Sequence, residues 1–497
     1  MADTTFDEVN LSILGVAAEY PPFVHDSTVL QKMCERHYPK NAAMEKVCMI
    51  NRYTGIETRS AIGPADYPLA NMDRAPNISE LCEVFRKDGV GMAVAASRKA
   101  LAEAQITPAE ITHIVATTCT NSANPGFDHQ LMIDLGITHP VEKILLQGIG
   151  CSGGLAGLRT AANLALGHTF RGRPARILVV AAEICSLLIR SELDSIYELQ
   201  ETRIGVTLFS DCGSALVLSN GLGPQQAEPV YELLGWDHRV IPDSHRALRF
   251  DAHPNGWKVA LSPEVPKLAC EIVGPSFEAL MKSLPNLPPN YKQAADFDWA
   301  LHPGGSTILT GVERRLGLTP EHMRGSYDIY MNHGNSSSAT IFSVLSRFRD
   351  KDMDECAPGG KVKDFVVACA FGPGVTIETC MLKRNLNHVA RPLLNIGEIT
   401  PPETESEGGR SETEDFDTEI IQSSILEKID ILEAEDKSLL ASDAIIEEAV
   451  DKTLEAAETD MCTGSAAKVQ VVTCSPPATS CQEDSFIMDV LNGVELD

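Results

Sequence analysis

The chain has 497 residues, 43% of them hydrophobic, and a formal net charge of −28. That length is ample for a large core and for more than one domain. It offers no basic stripe to meet a phosphate backbone, which disfavours a nucleic-acid partner. The charge is uneven: residues 401–497 hold 25 Asp and Glu against 5 Lys and Arg, a net −20, leaving −8 for residues 1–400. No uninterrupted run of 18 apolar residues occurs, so no membrane span is expected. The 14 cysteines come without a leader-like start or a CxxC pair. The chain therefore reads as cytoplasmic, with mostly reduced thiols.

In chain order, residues 11–18 (LSILGVAA) read as a first strand. Residues 91–105 read as a helix that leads into a strand at ITHIVATT. KILLQ reads as a short buried strand, residues 155–167 as a helix, and RILVVAAEI and SALVLSN as strands. In the second half, 265–283 and 306–317 read as helices, and DWALHP and YDIYMNHG contain short strands. DFVVACAFGPG and VTIETCMLK read as a closing β pair. Alternating strands and helices predict an α/β protein. Each half has a strand running into a Gly-rich turn and a helix, at Cys151 and again at Asn335, a weak internal repeat. The halves are placed at 1–225 and 226–384, in one compact unit. Residues 385–497 read as an acidic linker and tail. Within them 401–417 reads as a flexible linker, and Ile421, Ile425, Ile429, Leu432 and Ile446, Val450, Leu454 mark two acidic amphipathic helices. The tail's partner is unknown.

The richest local signal is GIGCSGGLAGL. It sets Cys151 between a strand and a helix N-terminus, where backbone N–H groups and the helix dipole favour a thiolate. Taken alone, the segment also fits a small residue packing a tight turn. ALHPGGSTIL adds His302 and YMNHGNSSSATIF adds Asn335. An imidazole can pair with the thiolate or donate to an oxyanion, and an amide can donate without titrating. These three residue types suffice for acyl capture and enolate stabilisation. A papain-like hydrolase also orders Cys, His and Asn, but its CGSCW-type surround is missing. No HExxH, Cys/His cluster at ligand spacing or P-loop is evident, so no metal is expected.

These three segments, with AFGPGVTIE (370–378), ITHIVATTCTNSANPGFDHQL (111–131) and VTLFSDCGSALVLSN (206–220), resemble the type III polyketide synthases. These are the chalcone-synthase-like enzymes of the thiolase superfamily. The resemblance runs over about residues 10–384, with details nearest the fungal branch. It implies a duplicated thiolase-like fold in αβαβα layers and a homodimer. It implies an acyl-CoA starter loaded on Cys151 and extended by decarboxylative condensation with malonyl-CoA, with His302 and Asn335 stabilising the enolate. CoA thioesters are then substrates, and no cofactor is implied.

The resemblance makes Phe209 a gatekeeper at the CoA-tunnel junction and Val259 the replacement of a second gatekeeper Phe of the plant enzymes. It puts Cys119, Thr120, Leu188, Phe250 and Ser337 at the cavity, with Gly374 shaping the loop beside the nucleophile. Lys46, with Gly304 and Gly305, is implied at the CoA-binding face, and Arg52 is placed there by the resemblance of RYTGIETR to the corresponding segment of ketoacyl synthase III enzymes. His333 reads as structural. The apolar Leu188 and the small Val259 favour a medium- to long-chain starter over an aromatic one, giving alkylpyrones or alkylresorcinols. A ketoacyl synthase III-like enzyme of fatty acid synthesis shares the fold and the three residue types, and is the nearest alternative.

Overall fold

The structure, a computed structural model, describes residues 9–223, 227–254 and 256–388. The expected linker and acidic helices lie outside the described residues. The strands are β1 (Leu11–Glu19), β2 (Phe23–Asp26), β3 (Thr58–Ala61), β4 (His113–Thr117), β5 (Glu142–Leu146), β6 (Arg176–Ile184), β7 (Asp211–Ser219), β8 (Tyr231–Val240), β9 (Leu248–His253), β10 (Gly256–Leu261), β11 (Asp298–Leu301), β12 (Phe365–Gly372) and β13 (Thr376–Arg384). The helices of the first half are α1 (Ser27–His37), α2 (Ala42–Arg52), α3 (Ile78–Val84), α4 (Val90–Ala104), α5 (Phe127–Asp134), α6 (Gly153–Phe170), α7 (Ile189–Leu199) and α8 (Gly205–Leu208). Those of the second are α9 (Val265–Lys282), α10 (Ser306–Leu316), α11 (Arg324–His333), α12 (Thr340–Arg347) and α13 (Lys351–Glu355).

Nine strands form one sheet in the order β11-β12-β13-β8-β1-β7-β6-β4-β5. β4 runs parallel to β5 and β6, and β11 parallel to β12; the other neighbours are antiparallel. The strands of residues 11–219 meet those of residues 231–384 only where Leu11–Ile13 pair with Tyr231–Leu233. Every residue of β6, β7 and β12 is buried. That is why these strands show no alternation of polar and apolar residues: helices cover both faces.

Three apolar clusters fill the layers. The central one sets α6 (Leu155, Leu158, Ala161, Ala162) and α12 (Ile341, Phe342, Leu345) against strands of both ends of the sheet. One outer cluster packs α4 and α5 on the β6–β7 side, and the other packs α9 and α10 on the β11–β13 side. The result is an αβαβα stack with α6 and α12 in the middle layer.

Two expectations fail. YDIYMNH is helical, in α11, not strand. Tyr327, Ile329 and Met331 alternate with Asp328, Tyr330 and Asn332, which mimics a strand's period. Residues 324–331 are in fact buried all round, so no polar face betrays the helical period. KILLQ does form β5, but at the sheet edge, with Glu142 and Lys143 exposed and Ile144–Leu146 half-buried. The Cys151 turn thus follows a strand, whereas the Asn335 turn follows a helix.

Candidate active site

Cys151 lies in a short 3-10 turn, Gly150–Ser152, that leads from β5 into α6. The residue is half-buried, and its Sγ lies 3.4 Å from Ser337 Oγ. The turn is seated by the absence of side chains. Gly150 has φ +58°, and a Cβ there would meet Pro373 Cδ at 2.5 Å. A Cβ on Gly154 would meet the Ser338 carbonyl at 2.6 Å. The Gly372-Pro373-Gly374 loop and the Asn335–Ser338 segment therefore close on the nucleophile from two sides. Gly374 is held by its N–H to the Leu248 carbonyl at 2.9 Å and by Ser244 Oγ donating to its carbonyl at 2.6 Å.

His302 follows β11, its N–H donating to the Cys369 carbonyl at 2.8 Å. Its ring is buried, and neither ring nitrogen has a hydrogen-bond partner. A Cβ on Gly304 would lie 3.7 Å from His302 Nε2, so glycine leaves room against that edge of the ring. Gly305 caps α10, the helix that follows. Asn335 is fixed by its backbone, which pairs with the Leu208–Ser210 segment around Phe209. Its Nδ2 reaches the Gly304 carbonyl at 3.4 Å, and its Oδ1 accepts the Ser337 N–H at 2.8 Å. That N–H requires an acceptor, which fixes the amide with its NH₂ toward the histidine side.

Ser337 is the hub. It adopts φ +49°, a left-handed conformation uncommon outside glycine. Its hydroxyl lies 3.4 Å from Cys151 Sγ and 3.3 Å from Cys119 Sγ. Cys151, His302 and Asn335 are thus linked through Ser337 and Gly304. The expected thiol–imidazole hydrogen bond is not formed: the thiol's partner is Ser337. Burial pushes the Cys151 thiol up to about 11, with Glu183 adding to the rise and the Ser337 hydroxyl opposing it. Burial alone takes His302 down to about 3. Burial therefore favours the neutral form of each group taken singly.

Glu183, at the end of β6, was not singled out from the sequence. It is fully buried and accepts from Thr120 Oγ1 at 2.8 Å, the Cys119 N–H at 3.1 Å, Thr118 Oγ1 at 3.2 Å and Ser338 Oγ. Burial raises its pKa against those hydrogen bonds. The signal available was one carboxylate in an otherwise apolar strand after its opening Arg176, RILVVAAEI: a buried charge must have partners. Cys119 and Thr120 therefore join a polar network that backs the thiol.

Phe209 and Val259 flank one spot. A Cβ on Gly205 would lie 3.3 Å from the Phe209 ring and 3.6 Å from Val259 Cβ. Val259 is clamped by its N–H to Glu192 Oε1 at 3.0 Å and by Arg203, which donates to its carbonyl at 3.1 Å. Phe250 is its direct partner across the β9–β10 pair and packs on the apolar cluster that contains buried Leu188. Lys46 and Arg52 lie on α2, which packs on α7 and α8, the helix before Phe209. Arg52 is exposed and donates to Gln31 at 2.7 Å. No hydrogen bond or ion pair among the described residues ties either cation to the thiol's surroundings. His333 stacks on Tyr20 with ring centroids 3.7 Å apart and pairs with Ser60 at 2.9 Å.

Residues 24–222 match the family model for the N-terminal domain of chalcone and stilbene synthases, and residues 233–386 match that for the C-terminal domain. A type III pentaketide synthase from Neurospora crassa, of known structure, is 60% identical. It covers 76% of this chain and all of its own, with a TM-score of 0.75. The acylalkylpyrone synthase csyB of Aspergillus oryzae is 37% identical over 379 residues, 76% of this chain and 94% of its own. The structure of CsyB complexed with CoA-SH matches with a TM-score of 0.72 at 36% identity, over 76% of this chain and all of that one. The chain belongs to the type III polyketide synthases, the chalcone-synthase-like condensing acyltransferases of the thiolase fold.

Proposed function

We propose that this synthase loads a medium- to long-chain acyl-CoA on Cys151 and extends it with malonyl-CoA to alkylpyrones or alkylresorcinols, working as a homodimer. The observation that carries the reading is the seat at Ser337, where the Cys151 thiol and the Asn335 amide meet beside the unpartnered His302 ring. Cys151 passes its proton to the His302 lone pair. The two charges arise together, so their attraction and the N-terminus of α6 offset what burial takes from each. The thiolate attacks the starter's thioester carbonyl, the C–S bond to CoA breaks, and CoA leaves with the proton.

Neutral His302 then offers one ring N–H and Asn335 its second amide proton. Malonyl-CoA loses CO₂, and the electron pair moves onto the thioester oxygen between those two donors. The enolate carbon attacks the Cys151 thioester and expels the thiolate. The chain, two carbons longer, is now on CoA. In this step both donors are uncharged, so the enolate meets preorganised dipoles rather than a competing proton source.

The starter assignment is supported by Leu188, Phe250 and Val259 and by the likeness to the acylalkylpyrone synthase of Aspergillus oryzae. It is tested with acyl-CoAs of graded length and malonyl-CoA, without carrier protein, reading products by mass spectrometry. Aliphatic starters should exceed aromatic ones, and Val259→Phe should move the preference toward short chains. A preference for aromatic starters, or one that Val259→Phe leaves unchanged, would overturn it. Cys151→Ala should lose the acyl adduct in intact-mass analysis. Light scattering should give a dimer.

A further inference from the structure

We propose that His113, Glu142 and His168 form a binding site for one divalent first-row transition-metal ion of the zinc class, remote from the condensing thiol. The ligand atoms of the three side chains lie within 4.8 Å of one another. His113 Nε2 and Glu142 Oε2 are already 3.8 Å apart. A tetrahedral zinc with bonds near 2.0–2.1 Å needs its ligand atoms about 3.3 Å apart. Glu142 is exposed and His168 half-buried, so both side chains can close the remaining gap, about 0.5 Å for the His113–Glu142 pair and at most about 1.5 Å for the others. Two imidazoles and one carboxylate suit zinc, cobalt or nickel and leave a fourth position open.

The surroundings fit a ligand set better than a surface accident. His113 is 1% exposed, and its Nε2 is a buried nitrogen without a hydrogen-bond partner. Its Nδ1 lies 2.7 Å from Thr112 Oγ1, whose own proton goes to the Arg176 carbonyl at 3.0 Å. Nδ1 is therefore the protonated nitrogen, and Nε2 keeps its lone pair. His168 Nδ1 lies 3.2 Å from the Pro174 carbonyl, which also leaves Nε2 as the lone-pair atom. Metal-ligating histidines are oriented in this way, the far ring N–H donating to an oxygen. The cluster borders a cleft of about 430 Å³ that His139 also lines, so an ion has a way in.

Position separates this site from the chemistry. His113 and Glu142 are register partners at the starting ends of the parallel strands β4 and β5. Cys151 follows the other end of β5. His168 stands in the last turn of α6, about 25 Å along the helix from Cys151 at 1.5 Å per residue. The C-terminal end of a helix carries partial negative charge and favours a cation. The three residues are 29 and 26 positions apart, so no ligand spacing shows in the sequence; the β4–β5 register and the length of α6 bring them together.

The test uses the full chain, stripped with a chelator and titrated with Co²⁺, which is then displaced by Zn²⁺. One Co²⁺ per chain should bind with the visible bands of nitrogen and oxygen ligation and without thiolate-to-cobalt charge transfer. The Glu142→Gln/His168→Ala variant should bind at least 10- to 100-fold more weakly, the loss that even an outer-shell partner causes, while Cys151→Ala binds as the parent does. Zn²⁺ should raise the melting temperature of the parent and not of the double variant. Both substitutions avoid the buried His113, and unchanged product formation by the double variant shows that it has folded. No stoichiometric binding, undiminished binding by the folded double variant, or a thiolate charge-transfer band would each overturn the proposal.

Discussion

Around Cys151 the chain makes room by leaving side chains out; around Asn335 it does the reverse. The first turn carries Gly148, Gly150, Gly153 and Gly154, and a methyl group at Gly150 or Gly154 would strike Pro373 or the Ser338 carbonyl. The second turn carries Asn335, Ser336, Ser337 and Ser338. Each of these four makes a side-chain hydrogen bond, and Ser337 holds a left-handed backbone. The nucleophile's seat is therefore defined by shape, and the donor's seat by polar contacts. Substitutions should hurt the two turns differently, stability in the first and chemistry in the second.

The largest expected effect is in the second turn. Asn335→Ala should slow malonyl-CoA decarboxylation by about 100- to 1000-fold, as loss of one oxyanion donor does, and should still acylate Cys151 from a starter. Single-turnover loading and ¹⁴CO₂ release separate the two. Loading abolished with decarboxylation intact would reverse the roles. Next, His302→Gln removes the proton acceptor of the thiol. With no partner to receive the proton, the pH midpoint of Cys151 alkylation by iodoacetamide should rise toward about 11, the position to which burial pushes the isolated thiol, and should lie above that of the parent. A midpoint equal to the parent's would mean that the imidazole does not take part in forming the thiolate.

Gly154→Ala tests the shape side. Alanine's better helix propensity favours the variant by about 1 kcal/mol. The 2.6 Å approach to a backbone carbonyl should outweigh that and leave a net loss of about 1–3 kcal/mol, read as a lowered denaturation midpoint. The smallest effect is expected for Ser337→Gly. Freeing the left-handed backbone should return up to about 1 kcal/mol of stability, while loss of the hydroxyl partner should make Cys151 less reactive at a given pH. If Ser337→Gly lost as much stability as Gly154→Ala, the contrast between the turns would fail.

Much of this arrangement was legible from the chain. The strand-to-helix setting of Cys151, the closing β pair before and after Gly372-Pro373-Gly374, and the α4 and α9 helices appear in the structure within a few residues of where periodicity put them. The Phe250–Val259 facing pair was not foreseen, although Asn255-Gly256 is a hairpin signal. Neither position's local sequence points to the other, and only the β9–β10 register joins them. Glu183 escaped because an apolar run was read for its strand, not for its exception. Helix α11 escaped because a helix buried on all sides shows no polar stripe. In each case the missing information was a tertiary neighbour, which local pattern does not encode.

The seam between β1 and β8 is three residues wide on each side, yet Cys151 comes from one side of it and His302 and Asn335 from the other. A refolding chain whose first half orders alone would present the cysteine with neither the imidazole nor the amide in place. Restoration of acyl loading should lag behind recovery of helical signal whenever the two halves order before they join. Acyl uptake then becomes a stopwatch for their docking.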